Sequence, residues 1–367
     1  MRQLFGFMVV ISALFLGIIG ANAASPFEIS GVYVDVTAEN VTKARKQALR
    51  DGQNRAFEIL LKRLTLRADK DFLPWVEPAN QPQYIRDFSV SGEKTSAVRY
   101  LATLTYHFKP DAIRNLLKAR GIPFAETISK PVLVLPLFDD AGQLSLWDEP
   151  NPWSAAWSSL SLNNGLVPIA LPLGDLADIS GLSAQQAATG DQAALQNMAT
   201  RYDVNGVLVA QLVVVGRNTA GEPTDIDLVV NRIGGKNAGR STNLGITALE
   251  NETSGAFLKR VAMLVSEGIE EAWKQDNLLQ FGVADVLPVN LTIGNLQEWI
   301  NVKKRLGTVA VVRRTELALL SRDTVQLNLH YIGNLEQLIG SLRQVDLDLT
   351  VQGESWALVN LGEGSRS

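Results

Sequence analysis

Four carboxylates and three tryptophans lie close together near the middle of the chain. Asp139 and Asp140 follow an apolar run, and Asp148 and Glu149 sit among Trp147, Trp153 and Trp157. Paired carboxylates beside aromatic platforms would suit cleavage of a sugar polymer, one acid protonating the leaving oxygen while the other acts as base or nucleophile. A calcium loop would need acids at alternate positions and a turn glycine, and that spacing is missing. The same residues also suit an acidic turn whose tryptophans anchor it to a core, since strand ends commonly carry turn-forming Asp. The structural reading is preferred, so no catalytic residue is assigned. Asp139, Asp140, Asp148 and Glu149 stand as candidates only for the hydrolase alternative.

Other reactive side chains are sparse. The two histidines, His107 and His330, each lie in a strand-like run between an aromatic or aliphatic pair. Because a metal site usually takes three or four convergent ligands, both are expected as strand-face residues. The chain has no cysteine. That excludes disulfides, thiol catalysis, thiolate metal sites and a lipid-modified N-terminal cysteine. No G-x-S-x-G, S-x-x-K or H-E-x-x-H motif occurs. Gly234-Gly235-Lys236 lacks the first glycine of a Walker loop and reads as a hairpin turn. No cofactor and no metal is expected.

The elements that would position these residues begin after an export signal. Arg2 precedes an almost wholly apolar run from Leu4 to Gly20, followed by Ala21-Asn22-Ala23, the small-x-small pattern of a signal-peptidase site. Residues 1–23 are expected to be removed, with an uncleaved inner-membrane anchor as the alternative. No second run is long enough to span a bilayer, so the mature chain is expected in the periplasm, soluble or peripheral to the membrane at most. A net charge of −4 with no basic block argues against nucleic acid.

The rest is too long for one core and divides into three α+β segments. Residues 26–124 read as β-α-β-β-α: a strand at Gly31–Val36, a long helix capped by Thr42, strands at 84–94 and 98–108, and a short helix opened by Pro110. In the long helix, Ala44, Ala48, Ala56, Ile59, Leu60 and Leu64 face the core. Seven cations, Lys43, Arg45, Lys46, Arg50, Arg55, Lys62 and Arg63, decorate its solvated side.

Residues 129–281 read as helices on a mixed sheet. The continuous run Pro131–Phe138 suggests a strand covered on both faces. A helix is expected at Ser154–Leu162, further strands at 166–171, 207–215, 224–232 and 241–248, and an amphipathic helix at Thr253–Trp273.

Residues 285–361 contain an internal repeat. Ile293-Gly-Asn-Leu-Gln-Glu-Trp-Ile300 recurs as Ile332-Gly-Asn-Leu-Glu-Gln-Leu-Ile339, offset by 39 residues. Two β-α-β halves predict a ferredoxin-like βαββαβ sandwich, a four-stranded antiparallel sheet under two helices. Asn295 and Asn334 are expected to cap the helices, with Leu296, Leu335, Ile300 and Ile339 facing the core.

The export signal, Ala44–Gly52, Pro131–Pro136, Trp299–Gly307 and Leu320–Asp323 resemble a family of exported proteobacterial proteins, domain of unknown function twenty-sixty-six. That resemblance spans nearly the whole mature chain and implies no catalytic residues. The first two segments also resemble, more loosely, flagellar outer-membrane assembly factors and curli-secretion or TolB-type modules. Those imply an assembly role at the level of fold. The expectation is a non-enzymatic envelope protein working through contacts with envelope proteins not identified by the sequence. The alternatives are hydrolysis of envelope polymers by the 139–157 loop, or binding of a small ligand or lipid between domains.

Overall fold

A computed structural model describes residues 25–160, 162, 165–234, 239, 241–279, 284–353 and 355–362. The export signal expected over residues 1–23 lies outside the described residues, as do Gly235 and Lys236 of the expected hairpin turn. The protein is α+β, and its described residues build three sheets.

The first sheet is antiparallel. It comprises β1 (Glu28–Thr37), β2 (Ile85–Thr95) and β3 (Arg99–Phe108), in the order β1-β3-β2. The helix α1 (Val41–Leu64) covers one face, and α2 (Pro110–Ala119) follows β3 with Pro110 in its first turn. Asn40, not Thr42, caps α1: its side chain accepts from the Lys43 N–H at 2.9 Å. Ala44, Ala48, Gly52 and Ala56 recur every four residues and let the helix backbone approach the sheet. A Cβ on Gly52 would lie 2.5 Å from the Leu104 side chain, so this stripe sets the close fit. Arg63 departs from the expected solvated face. It is buried, donating to the Pro26 carbonyl at 3.0 Å and the Glu28 carbonyl at 2.6 Å. Burial pulls its guanidinium down to about 10.

The middle sheet holds β4 (Val132–Asp140), β5 (Gln143–Ser145), β6 (Ile169–Ala170), β7 (Gly206–Arg217), β8 (Pro223–Ile233) and β9 (Ser241–Thr247). The order is β5-β4-β7-β8-β9, with β6 also on β4. β4 runs parallel to β7, while β7, β8 and β9 are antiparallel neighbours. The apolar run 131–138 is covered on both faces. Val132 and Val134 face α3 (Pro152–Ser158) and α7 (Ser254–Asp276). Leu133, Leu135 and Leu137 face the side of α4 (Leu176–Gly181), α5 (Ala184–Thr189) and α6 (Gln192–Arg201). The run 166–171 gives the sheet only two residues, because Pro168 and Pro172 bracket it and offer no N–H.

α7 starts at a cap of Thr253 and a clamp between Glu252 and Arg260, with side-chain bonds of 2.8 and 2.7 Å. Hydrogen bonding to Arg260 holds the Glu252 carboxyl down at about 2, from an ordinary value of 4.5. A depressed folded value stabilises the fold above pH 4.5 and is lost as pH falls toward about 2. In thermal melts across that window, Arg260→Ala should be less stable than the parent at pH 6, and the gap should close near pH 2. A gap that stays constant with pH would mean that the clamp contributes no charge-dependent stability.

The last sheet has β10 (Ala284–Thr292), β11 (Val312–Leu320), β12 (Thr324–Ile332), β13 (Leu347–Gln352) and β14 (Ser355–Asn360). With α8 (Leu296–Leu306) and α9 (Leu335–Arg343), the order β-α-β-β-α-β is present. The expected single last strand is instead a hairpin, turned at Gly353 with φ +62°. Its second arm, β14, inserts beside β10 in parallel, making five strands ordered β11-β12-β10-β14-β13. Asn295 and Asn334 cap the two helices as expected, each accepting an N–H at 2.9 Å.

The repeat is real in its elements but shifted in its buried positions. Leu296 is 60% exposed and Ile300 48%, while Leu335 and Ile339 are half-buried. Leu296 and Leu335 each follow their cap directly, yet only Leu335 packs against the core. The buried face starts one turn later, at Trp299, Val302 and Leu306, and at Leu338, Ser341 and Leu342 in α9. Trp299 and Leu338 keep the 39-residue offset.

Candidate functional site

The acidic loop does not assemble into a cleft. Asp139 is the penultimate residue of β4, where it accepts from the Gly142 N–H at 3.0 Å and the Gln211 side chain at 3.1 Å. Asp140 pairs with Arg217. Asp148 and Glu149 are exposed, and Glu149 accepts from the Asn151 N–H at 3.3 Å. None of the four lines the cleft described below. The tryptophans are anchors. Trp153 and Trp157 are fully buried and meet edge to face, centroids 5.7 Å apart, so neither offers a ring to a sugar. Trp153 donates to the Ala210 carbonyl at 2.8 Å, and the half-buried Trp147 to Leu182 at 2.6 Å.

Both histidines lie on strands and face carboxylates. His107 on β3 sits between Asp87 of β2 and Glu28 of β1, its Nε2 3.4 Å from Glu28. His330 on β12 is 3.0 Å from Glu316 of β11. Among the described residues no three His, Asp or Glu side chains converge as metal ligands.

Charged side chains do converge where the first and last segments meet. A cleft of about 650 Å³ lies between the first and last segments, walled by α2, the connection 125–129 and the start of β11. Glu126, from the connection, is buried. Arg114 of α2 donates to it at 2.8 Å and Arg313 of β11 at 3.3 Å. Arg114 also pairs with Asp111 and lies over the Phe27 ring at 5.2 Å. Burial pushes the Arg313 guanidinium below its ordinary value, against the pull of Glu126.

A family model described as a domain of unknown function, DUF8605, matches residues 27–126. That span runs from the entry of β1 to Glu126, so it contains the first sheet, α1, α2 and Arg114. The description carries no activity. No curated protein matches the chain.

A second junction joins the first and middle segments. Lys274 of α7 is buried and donates to the Thr65 carbonyl at 2.6 Å and the Lys62 carbonyl at 3.2 Å. Glu271 accepts from the Arg67 N–H at 2.8 Å, and Glu267 pairs with the Arg67 side chain. Glu270 accepts from the N–H groups of Leu166 and Val167 at 2.9 and 2.8 Å, and burial raises its carboxyl above the usual range. Gly165 lies beside it, and a Cβ there would come within 1.8 Å of Glu270 Oε1, so a larger residue would have to displace that carboxylate. Sequence reasoning missed these junctions. Glu126, Arg114 and Arg313 are single charges far apart in the chain, and nothing local marks them.

Proposed function

We propose that this chain is a non-enzymatic, exported envelope protein that acts through protein contacts, as an assembly or scaffolding element. The observation that carries the reading is the pairing of locked junctions with open sheet edges. Charged groups tie the three segments together, and several outer strands present unpaired backbone. Such an object can hold partners in a fixed arrangement, since an edge strand can accept an added strand.

The loop chemistry supports the same reading. Asp139, Asp140 and Glu149 are engaged in local bonds, and the tryptophans that would serve as sugar platforms are in the core. The resemblance of the signal, 44–52, 131–136, 299–307 and 320–323 to the exported family twenty-sixty-six points the same way. Among the described residues no helix is long and apolar enough to cross a membrane. One observation favours a second reading, binding of a small ligand: the cleft at Glu126 has a volume in the range small molecules occupy, about 300–1,000 Å³.

The test is photocrosslinking in intact cells, followed by complementation of a deletion strain. Envelope proteins should be captured from the outer strands. Asp139→Asn, Asp140→Asn, Asp148→Asn and Glu149→Gln should each complement nearly as well as the parent. Loss of complementation by any one of them, with thermal stability unchanged, would move the protein into the hydrolase class.

A further inference from the structure

Among the described residues, the outer strands of the three sheets are β1, β2, β5, the two-residue β6, β9, β11 and β13. Exposed edges invite unwanted pairing, and proteins blunt them with bulges, charge, proline or brevity. β1 has a register break between Ile29 and Val32 and carries Glu28 and Asp35. β2 has two breaks and carries Arg86, Asp87, Glu93 and Lys94. β11 has two breaks and carries Arg313, Arg314 and Glu316. β5 is only three residues long, and β13 carries Asp348.

β9 carries none of these devices in its own sequence, and only its last carbonyl, that of Thr247, is capped, by Arg260 of α7. Its sequence, Ser241-Thr-Asn-Leu-Gly-Ile-Thr247, is uncharged and lacks proline, and its pairing with β8 is unbroken from Ser241 to Thr247. We propose that β9 is a self-association edge, pairing antiparallel with β9 of a second copy about a two-fold axis at Leu244. The proposal rests on the reading of the chain as one that works through protein contacts, and it names one partner.

An axis at the middle residue sets Leu244 opposite Leu244 of the second copy, Thr242 opposite Ile246, Asn243 opposite Gly245 and Ser241 opposite Thr247. No charge meets a like charge. Such an isologous contact closes at two copies. The same operation on β2 or β11 would bring charged residues to the new ladder and meet register breaks on both sides.

The side-chain setting favours an added strand here. Leu228 lies opposite Leu244 and Ile226 opposite Ile246, so Leu244 points to the α7 side of the sheet. It stays 50% exposed there. Arg260 of α7 reaches the Thr247 carbonyl at 3.1 Å, which places that flank of the helix beside β9. Leu264, one helical turn beyond Arg260, is 39% exposed. A second β9 would cover Leu244 with an identical leucine and bring apolar surface over the flank that carries Leu264.

A chain without cysteine makes the test clean. Directly opposed residues of an antiparallel pair have Cα atoms about 4.5–5.5 Å apart, inside the roughly 4.4–6.8 Å that a disulfide spans. The purified Leu244→Cys variant, under mild oxidation, should convert largely to a crosslinked dimer, while Thr315→Cys on β11 should not. Without crosslinking, sedimentation of the parent should show a concentration-dependent dimer. Leu244→Lys, which sets two like charges at the axis, should weaken that dimer by about tenfold or more with an unchanged circular dichroism spectrum. A parent that stays monomeric at high concentration, or equal crosslinking at both cysteines, overturns the proposal. Neither result touches the capture of other envelope proteins in cells, so the broader reading stands or falls separately.

Discussion

Replacing Glu126 with Gln should lower the unfolding free energy by about 3–5 kcal/mol, the range for removing one partner of a buried ion pair. The carboxylate is buried, and both oxygens are in use, one by Arg114 and one by Arg313. Gln offers one neutral oxygen and an NH2 that would face a guanidinium. Two partly buried cations would then be left around a group with no charge. The two arginines should not cost the same. Arg114 makes the shorter bond and also holds Asp111 and Phe27, whereas Arg313 makes one bond at 3.3 Å. Arg114→Met should therefore destabilise more than Arg313→Met. Changing all three together to apolar residues should recover much of the loss, as buried ionic triads can be replaced by packed hydrophobic groups. Chemical denaturation of the single, double and triple variants decides it. Additive losses across the set would mean the three residues do not act as one unit. Because the triad draws on α2, the 125–129 connection and β11, its loss should also release the first segment from the last. Earlier proteolytic cleavage near Glu126 should accompany the drop.

Much of the architecture is legible in the sequence because local periodicity is strong there. The apolar run 131–138 reads as a strand covered on both faces, and the helix at 253–273 shows its buried face in Phe257, Val261, Val265 and Ile269. What local pattern cannot give is register at element ends. Asn295 is legible as the cap, but which face of α8 meets the sheet is not: Leu296, the first residue of the helix, is exposed, and the buried face begins at Trp299. The last strand hides a hairpin whose turn leaves a local mark: the apolar phase runs through Leu347, Leu349 and Val351 and switches to Trp356 and Leu358 across Gly353. Long-range charge is less legible still. Arg63 is written in the same cationic stripe as Arg50 and Arg55, yet its position under the entry of β1 buries it. For the candidate site, the sequence locates the acidic loop but not its geometry. Acids near tryptophans in sequence fit a catalytic groove as well as an anchored turn. Only the depth of Trp153 and Trp157 separates them.

Trp153→Ala should destabilise the middle segment by about 3–5 kcal/mol, the usual cost of truncating a fully buried Trp. The ring is at 0% exposure, packed edge to face on Trp157 between β4, β7 and α7. Its indole N–H satisfies the Ala210 carbonyl in the centre of β7, so truncation removes both the packing and that bond. The two contributions can be separated. Trp153→Phe keeps most of the ring volume and loses the donor, so it should cost nearer the 1–3 kcal/mol typical of leaving one buried polar group unpaired, roughly. The order Trp153→Ala worse than Trp153→Phe worse than Trp147→Phe is expected in urea denaturation, because Trp147 is only half-buried. The effect on function should follow stability alone. At a temperature low enough to keep the variant folded, Trp153→Phe should complement a deletion strain as the parent does. If the folded Trp153→Phe protein failed to complement while Trp147→Phe succeeded, the indole would have a role beyond anchoring. The loop at 139–157 would then have to be reconsidered as a site.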